Sequence, residues 1–276
     1  MTMHPALTEN NVAVITGAAD GIGLAAAKHY AQLGMRVCMA DINGEALEAA
    51  AAEIDGALAQ VTDVTDVSAV EKLRDAALAE FGQVDVLMNN AGIPAPTHSW
   101  RELDNWNAVL QVNLHGVING VHSFTQVMVD QGTPGLIINT GSKQGITCPP
   151  GNPAYNVSKA AVKALTEALQ HDLRNTENCK VNAHLLVPGF VYSGMVRQWL
   201  PEKPEGAWTC EETIEFMIES LNRDDFYIIC PDNDVDRPTD NKRMTWAMGD
   251  LVENRPPLSR WHPDYASVFE DFMATN

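Results

Sequence analysis

Tyr155 and Lys159 lie four residues apart, and no other pair in this sequence is as well suited to moving a proton. At i, i+4 they share one face of a helix. A phenol starts near a pKa of ~10, too high for a base at neutral pH. A neighbouring ammonium favours the phenolate and brings the group toward the range that general acid–base catalysis needs. Ser142 precedes Tyr155 by 13 residues and could hold a substrate oxygen by hydrogen bond. Asn113 stands inside a long helical stretch, in Val112-Asn113-Leu114. Alone, a Tyr-x-x-x-Lys pair arises often by chance. Its weight depends on the elements around it.

Near the N-terminus runs Thr16-Gly17-Ala18-Ala19-Asp20-Gly21-Ile22-Gly23, after an apolar strand and before a helix. Glycines at this place let the backbone turn tightly and approach a pyrophosphate, which the helix N-terminus then attracts. Asp41 ends the second strand and could accept hydrogen bonds from both ribose hydroxyls of an adenosine. It would repel a 2′-phosphate, and the following Ile42 and Asn43 offer no cation to receive one. This favours NAD over NADP. An N-capping role for Asp41 stays open, as does a plain turn role for Asp63. With Val64, Asp63 could otherwise meet an adenine ring.

These groups sit on a regular alternation. Strand candidates are Val12–Thr16, Arg36–Asp41, Ala57–Val61, Val84–Asn89, Gly135–Thr140 and Lys180–Leu186. Their nearly unbroken apolar character is that of strands covered on both faces, hence of a parallel sheet. Helices are predicted over Ile22–Leu33, Asn43–Ile54, Val67–Phe81, Leu103–Asp130 and Pro153–Leu173. The expected fold class is a doubly wound, Rossmann-like α/β sheet. The middle helix has an apolar side (Val109, Val112, Gly116, Val117, Gly120, Val121) suited either to a dimer partner or to its own subunit.

The chain has 276 residues, 45% hydrophobic and 20% charged, enough for one domain over 1–276 with a sizeable core. A formal net charge of −18 argues against a nucleic-acid partner. No apolar run is long enough to span a membrane, and Met1 to Asn11 lacks a secretory pattern. The five cysteines are odd in number and contain no Cys-x-x-Cys, as expected of reduced thiols in the cytoplasm. His115 and His122 lack a third ligand, so no metal is expected.

Taken together, Thr16 to Gly23, Asp63-Val64, Asn89-Asn90-Ala91-Gly92, Asn113, Ser142, Tyr155-Asn156-Val157-Ser158-Lys159 and Pro188-Gly189 resemble the short-chain dehydrogenase/reductase family. The resemblance runs from Val12 to about Met195, in the family's order. It implies Tyr155 as acid/base, Ser142 as the group positioning the substrate oxygen, and Lys159 as the contact to the nicotinamide ribose that tunes Tyr155. Asn113 would support a water chain. For the cofactor it implies Gly17, Asp20, Gly21, Ile22, Gly23, Asp41, Ile42, Asp63, Val64, Asn90, Ala91, Gly92, Tyr155, Lys159, Pro188, Gly189, Val191 and Ser193. Ser193 stands where relatives often carry Thr.

Residues 193–221 are expected to cover the substrate, with Gln144, Met195 and Trp199 beside Ser142 and Tyr155. That mostly apolar set suggests a hydrophobic or ring-bearing secondary alcohol or its ketone. An NADP-linked carbonyl reductase and a non-catalytic nucleotide-binding sensor or scaffold remain as rivals. The tail 231–276 departs from the family's usual close, although a homodimer or homotetramer is still expected. No elements are predicted in that tail; before it, a helix over Thr209–Leu221 is followed by a strand over Phe226–Cys230.

Overall fold

The structure, a computed structural model, describes residues 3–274. Seven strands form one sheet: β1 (Val12–Thr16), β2 (Arg36–Asp41), β3 (Leu58–Val61), β4 (Val86–Asn89), β5 (Gly135–Thr140), β6 (Val181–Val187) and β7 (Tyr227–Ile229). Their order is β3-β2-β1-β4-β5-β6-β7, and every pairing is parallel. Strands β1, β4 and β5 are buried throughout. Ala13 and Ile15 enter one core and Val14 the other, as a period of two requires. The strand order reverses between β1 and β4. A crevice opens at such a switch point, outside the carboxyl ends of the strands.

Helices α1 (Gly21–Gln32), α2 (Gly44–Ala51), α3 (Val67–Phe81) and α7 (Pro153–Asn175) lie where the apolar pattern placed them, with ends shifted by a few residues. The middle helix is not continuous. It runs as α4 (Leu103–Leu110), a π turn over Gln111–His115, and α5 (Gly116–Asp130). A π turn changes which side chains face inward, and Asn113 within it is completely buried.

The apolar side of this helix packs largely inside the subunit. Val109, Val117 and Val121 are buried in the chain's own core. The two glycines admit the chain's own groups: a Cβ on Gly116 would come 2.7 Å from Val64 Cγ2, and one on Gly120 would come 2.0 Å from Asn89 Oδ1.

Beyond β6 come α8 (Gly194–Arg197) and α9 (Cys210–Leu221), the latter opened by the expected capping box. Glu212 N donates to Thr209 Oγ1 at 3.1 Å, and Thr209 N donates to Glu212 Oε2 at 2.7 Å. The tail is more ordered than the sequence suggested. It contains α10 (Arg237–Val252) and α11 (Ala266–Ala274). Trp246 joins them, packed on Phe269 and Phe272 with the Arg255 guanidinium 4.0 Å from its ring centre. Among the described residues, no helix is long and apolar enough to cross a membrane.

Candidate active site

The carboxyl ends of β1, β2, β4, β5 and β6 meet around a cavity of about 640 Å³. One end is walled by Gly17, Gly21 and Asp41, the other by Ser142, Tyr155 and Lys159. At the first end, Gly17 (φ +65°) and Gly21 (φ +61°) take the left-handed backbone that glycine tolerates. A Cβ on Gly17 would lie 2.8 Å from Ala91 Cα. Gly23 lies behind the wall, where a Cβ would come 2.1 Å from Gly17 O. The turn is thus a close-fitting cradle at the start of α1. Its amides, the helix dipole and the adjoining Asp41 fit a dinucleotide.

The turn is tied to the next strand end by a polar network. Asn90 N and Ala91 N donate to Thr16 Oγ1 at 3.0 and 3.2 Å. Asn90 Nδ2 donates to Thr16 O, and Thr140 Oγ1 donates to Asn90 Oδ1. Asp41 is held too: its carboxylate accepts from Ala19 N at 3.2 Å and Asn43 N at 3.0 Å. The last bond is a local turn contact and not a helix cap: α2 is capped by Asn43, whose Oδ1 accepts from Ala46 N at 3.2 Å, so the capping reading of Asp41 does not hold.

At the other end, α7 places Tyr155 and Lys159 on one face as predicted. The Lys159 ammonium lies 5.7 Å from the Tyr155 ring centre and donates to Thr140 O at 2.7 Å. Burial lowers the Lys159 pKa to about 8. Burial also pushes the Tyr155 phenol above its ordinary value, against the hydrogen bond with Ser142, which lowers it. The spacing had suggested a phenol lowered by the ammonium. Desolvation dominates here, and what opposes it is the Ser142 hydrogen bond rather than the ammonium.

Asn113 does not line the cavity. Its Oδ1 accepts from Ile93 N at 2.8 Å and its Nδ2 donates to Ile93 O at 3.1 Å. It therefore fixes the Gly92–Ile93 wall. Asn90, Ala91, Gly92, Pro188, Gly189, Val191, Ser193, Gln144, Met195, Asp20 and Ile22 all reach the lining. Ile42, Asp63, Val64 and Trp199 do not. Ile42 is 67% exposed. Asp63 Oδ1 accepts from Thr65 N and Oγ1, a turn contact, while Val64 packs on Gly116. Trp199 lies beyond the end of α8 and is 65% exposed, because the turn of α8 sends Met195 and Val196 inward instead.

Sequence reasoning passed over three groups. Arg197 on α8 forms an ion pair with Asp20 in the glycine turn, with Nη2 2.6 Å from Oδ2. Asp232 accepts from Phe190 N at 3.1 Å and from Lys143 Nζ at 3.2 Å, and so pins the Pro188–Phe190 loop beside Ser142. Asp240 completes this buried group, 2.7 Å from Lys143 Nζ. All three contacts span long stretches of chain, which a motif search does not see. Among the described residues, no cluster of three or more His, Cys, Asp or Glu is arranged to hold a metal.

The fold is a Rossmann-like α/β sheet whose cavity brings Tyr155, Lys159 and Ser142 together. The sequence matches the family described as short chain dehydrogenase over residues 11–204, and the chain belongs to that family. It is 33% identical over 263 residues to 1-deoxy-11-beta-hydroxypentalenate dehydrogenase of Streptomyces exfoliatus, covering 92% of this chain and 94% of that one. A short chain dehydrogenase/reductase from Burkholderia phymatum, solved in complex with NAD, superposes with a TM-score of 0.82 at 32% identity, covering 93% of this chain and 98% of that one. An alcohol dehydrogenase from Thermococcus sibiricus, complexed with 5-hydroxy-NADP, gives 0.69 at 29% identity, covering 78% and 91%. The chain is thus an oxidoreductase of hydroxyl or ketone substrates that uses a nicotinamide dinucleotide.

Proposed function

We propose that the chain interconverts a hydrophobic or ring-bearing secondary alcohol and its ketone, with NAD as the hydride acceptor and Tyr155 as the acid/base. The observation that carries this reading is one continuous cavity, with the glycine turn and Asp41 at one end and Ser142, Tyr155 and Lys159 at the other. The likeness to a dehydrogenase of hydroxypentalenate supports a ring-bearing substrate.

NAD supplies a two-electron acceptor when bound. Gly17, Gly21, Asn90 and Asp41 would hold it. Asp41 carries a fixed negative charge where a 2′-phosphate would have to sit, which favours NAD. The Ser142 hydroxyl holds the substrate oxygen, and Tyr155 takes the hydroxyl proton as the carbinol hydrogen leaves as hydride. Asn113 acts as a positioning residue through Ile93. The raised Tyr155 pKa means that alcohol oxidation, which needs the phenolate, accelerates with rising pH across the mildly alkaline range.

The direct test is to incubate the protein with NAD and a panel of ring-bearing secondary alcohols at mildly alkaline pH, following NADH absorbance. Turnover with part of the panel, weaker with NADP and lost in Tyr155→Phe, is the expected result. Equal or faster turnover with NADP would overturn the reading of Asp41. If Asp41→Ala gained no NADP activity, Asp41 would not be what discriminates.

A further inference from the structure

A second cavity, of about 580 Å³, lies between the tail and α6 (Gln144–Thr147). Its volume is in the range that holds a small organic molecule. It shares no lining residue with the cavity of Ser142 and Tyr155: Gln144 faces that one, whereas Ile146 and Thr147 face this one. Its walls are apolar, with Trp246, Leu251, Leu258 and Trp261 contributing.

The charge set into those walls is unusual for this molecule. Three guanidiniums, Arg243, Arg255 and Arg260, face one carboxylate, Asp250, in a chain of formal net charge −18. Asp250 is committed: it lies 3.0 Å from Arg255 Nε and accepts from Ser259 N and Oγ. Neighbouring Asp240 is committed to Lys143. Among the described residues, Arg243 and Arg260 have no carboxylate within ion-pair distance, and the buried Arg243 Nε has no hydrogen-bond partner. Burial, and then the charge of Arg243, lower the Arg260 pKa. Arg243 and Arg260 line this cavity together, and the Arg260 guanidinium is held over the Trp261 and Phe269 rings, 4.8 and 5.2 Å from their centres; two guanidiniums at one wall can receive one anion, and a carboxylate matches their planar fork.

We propose that this cavity is a second ligand site, taking an organic carboxylate on an apolar or aromatic body, with the carboxylate at Arg243 and Arg260 and the body against Trp246 and Trp261. The test is calorimetric titration of the full chain, saturated with NADH, with 2-naphthoate and with its neutral counterpart 2-naphthalenemethanol. The carboxylate is expected to bind one to one and about tenfold or more tighter than the alcohol, as a charge-assisted contact to two guanidiniums implies. Arg243→Met and Arg260→Met should each remove that preference, Ala247→Trp should block the carboxylate, and Met195→Trp, which fills the other cavity, should leave binding of the carboxylate unchanged.

Equal binding of the two compounds by the unmodified protein would overturn the proposal whatever the variants do, as would no binding of either. A preference that survives both arginine replacements, or is lost in Met195→Trp, would also overturn it. If naphthoate fails to bind while Arg243→Met dissociates an oligomer, a second copy of this chain occupies the face, and the ligand site is wrong.

Discussion

The catalytic floor and the tail cavity lie on opposite sides of α6, and they treat buried polar groups in opposite ways. On the floor, such groups are tied to backbone or to one another. Lys159 donates to Thr140 O, Asn113 grips both polar atoms of Ile93, and Asn90 bridges Thr16 and Thr140. In the tail cavity, the one carboxylate, Asp250, is paired with Arg255, and among the described residues Arg243 and Arg260 have none within ion-pair distance. The floor's groups act by being immobile, since pre-organised dipoles and proton donors lose nothing in reorganisation. A guanidinium left without its counter-charge retains that interaction for a ligand.

The sharpest way to break this comparison is to remove the proton donor. Tyr155→Phe keeps the ring and its packing and removes the hydroxyl. Turnover should fall by about 10³-fold, within the range that general acid–base groups contribute. NADH binding, followed by fluorescence titration, should hold. Turnover within a few-fold of the unmodified enzyme would mean the floor's rigidity serves some other group.

The second test concerns what immobility costs. The Lys159 pKa falls from 10.5 to about 8 on burial. Below pH 8 the ammonium is charged in both folded and unfolded chain, and its desolvation opposes folding. Between 8 and 10.5 only the unfolded chain binds the proton, so stability rises with pH there. The full relief is about 3 kcal/mol at 1.36 kcal/mol per unit. In urea titrations, the unmodified chain should gain on Lys159→Met as pH rises from 7 to 10. A difference that stays flat with pH would show that Lys159 is not held desolvated.

A third test probes packing under the floor. Gly120 faces Asn89, which donates through Nδ2 to Asn139 Oδ1 at 2.8 Å, and Asn139 in turn donates to Thr166 Oγ1. A methyl group 2.0 Å from Asn89 Oδ1 must displace this chain. Gly120→Ala should cost about 1–3 kcal/mol, the usual range for overpacking. Gly132→Ala meets nothing within 4 Å but lies at φ +64°, so its loss should come from backbone strain alone. A Gly120→Ala chain as stable as the original would mean α5 moves freely on the sheet, which would undercut the rigid floor.

What the sequence made legible was local. The glycine turn, the i, i+4 pair of α7 and the apolar strands each declare themselves within a few residues, because backbone geometry sets their spacing. The serine and tyrosine were also readable, since only the short α6 lies between β5 and α7 in the chain. Contacts between distant segments were hidden. Asp232 and Asp240 stand with Asp234 and Asp236 in one acidic run of the sequence, and they are partners of Lys143. In that run, Asp236 caps α10, accepting from Thr239 N at 2.9 Å, with a proline in the first turn. That start signal was present and was masked by the charges beside it. The direction of the Tyr155 shift was hidden for another reason: spacing shows that a cation is near, but not how dry the site is.

Arg197 is the intermediate case, an arginine of the roof that has found a carboxylate. Its ion pair with Asp20 joins α8 to the glycine turn, and both partners are about half exposed. Asp20 also accepts from Gly21 N at 2.6 Å, so it holds a negative charge at the helix end where the cofactor's phosphates are expected. Arg197 offsets that charge. Arg197→Met should therefore raise the KM for NAD about two- to fivefold, in line with the small worth of exposed pairs. The rise should shrink at high salt, because screening weakens exposed charges. Asp20→Asn in the same chain should reverse it, since the charge needing compensation is then gone. That reversal separates electrostatics from the mere loss of a contact between α8 and the turn. If the double variant keeps the raised KM, Arg197 acts by holding the roof in place and not by neutralising Asp20.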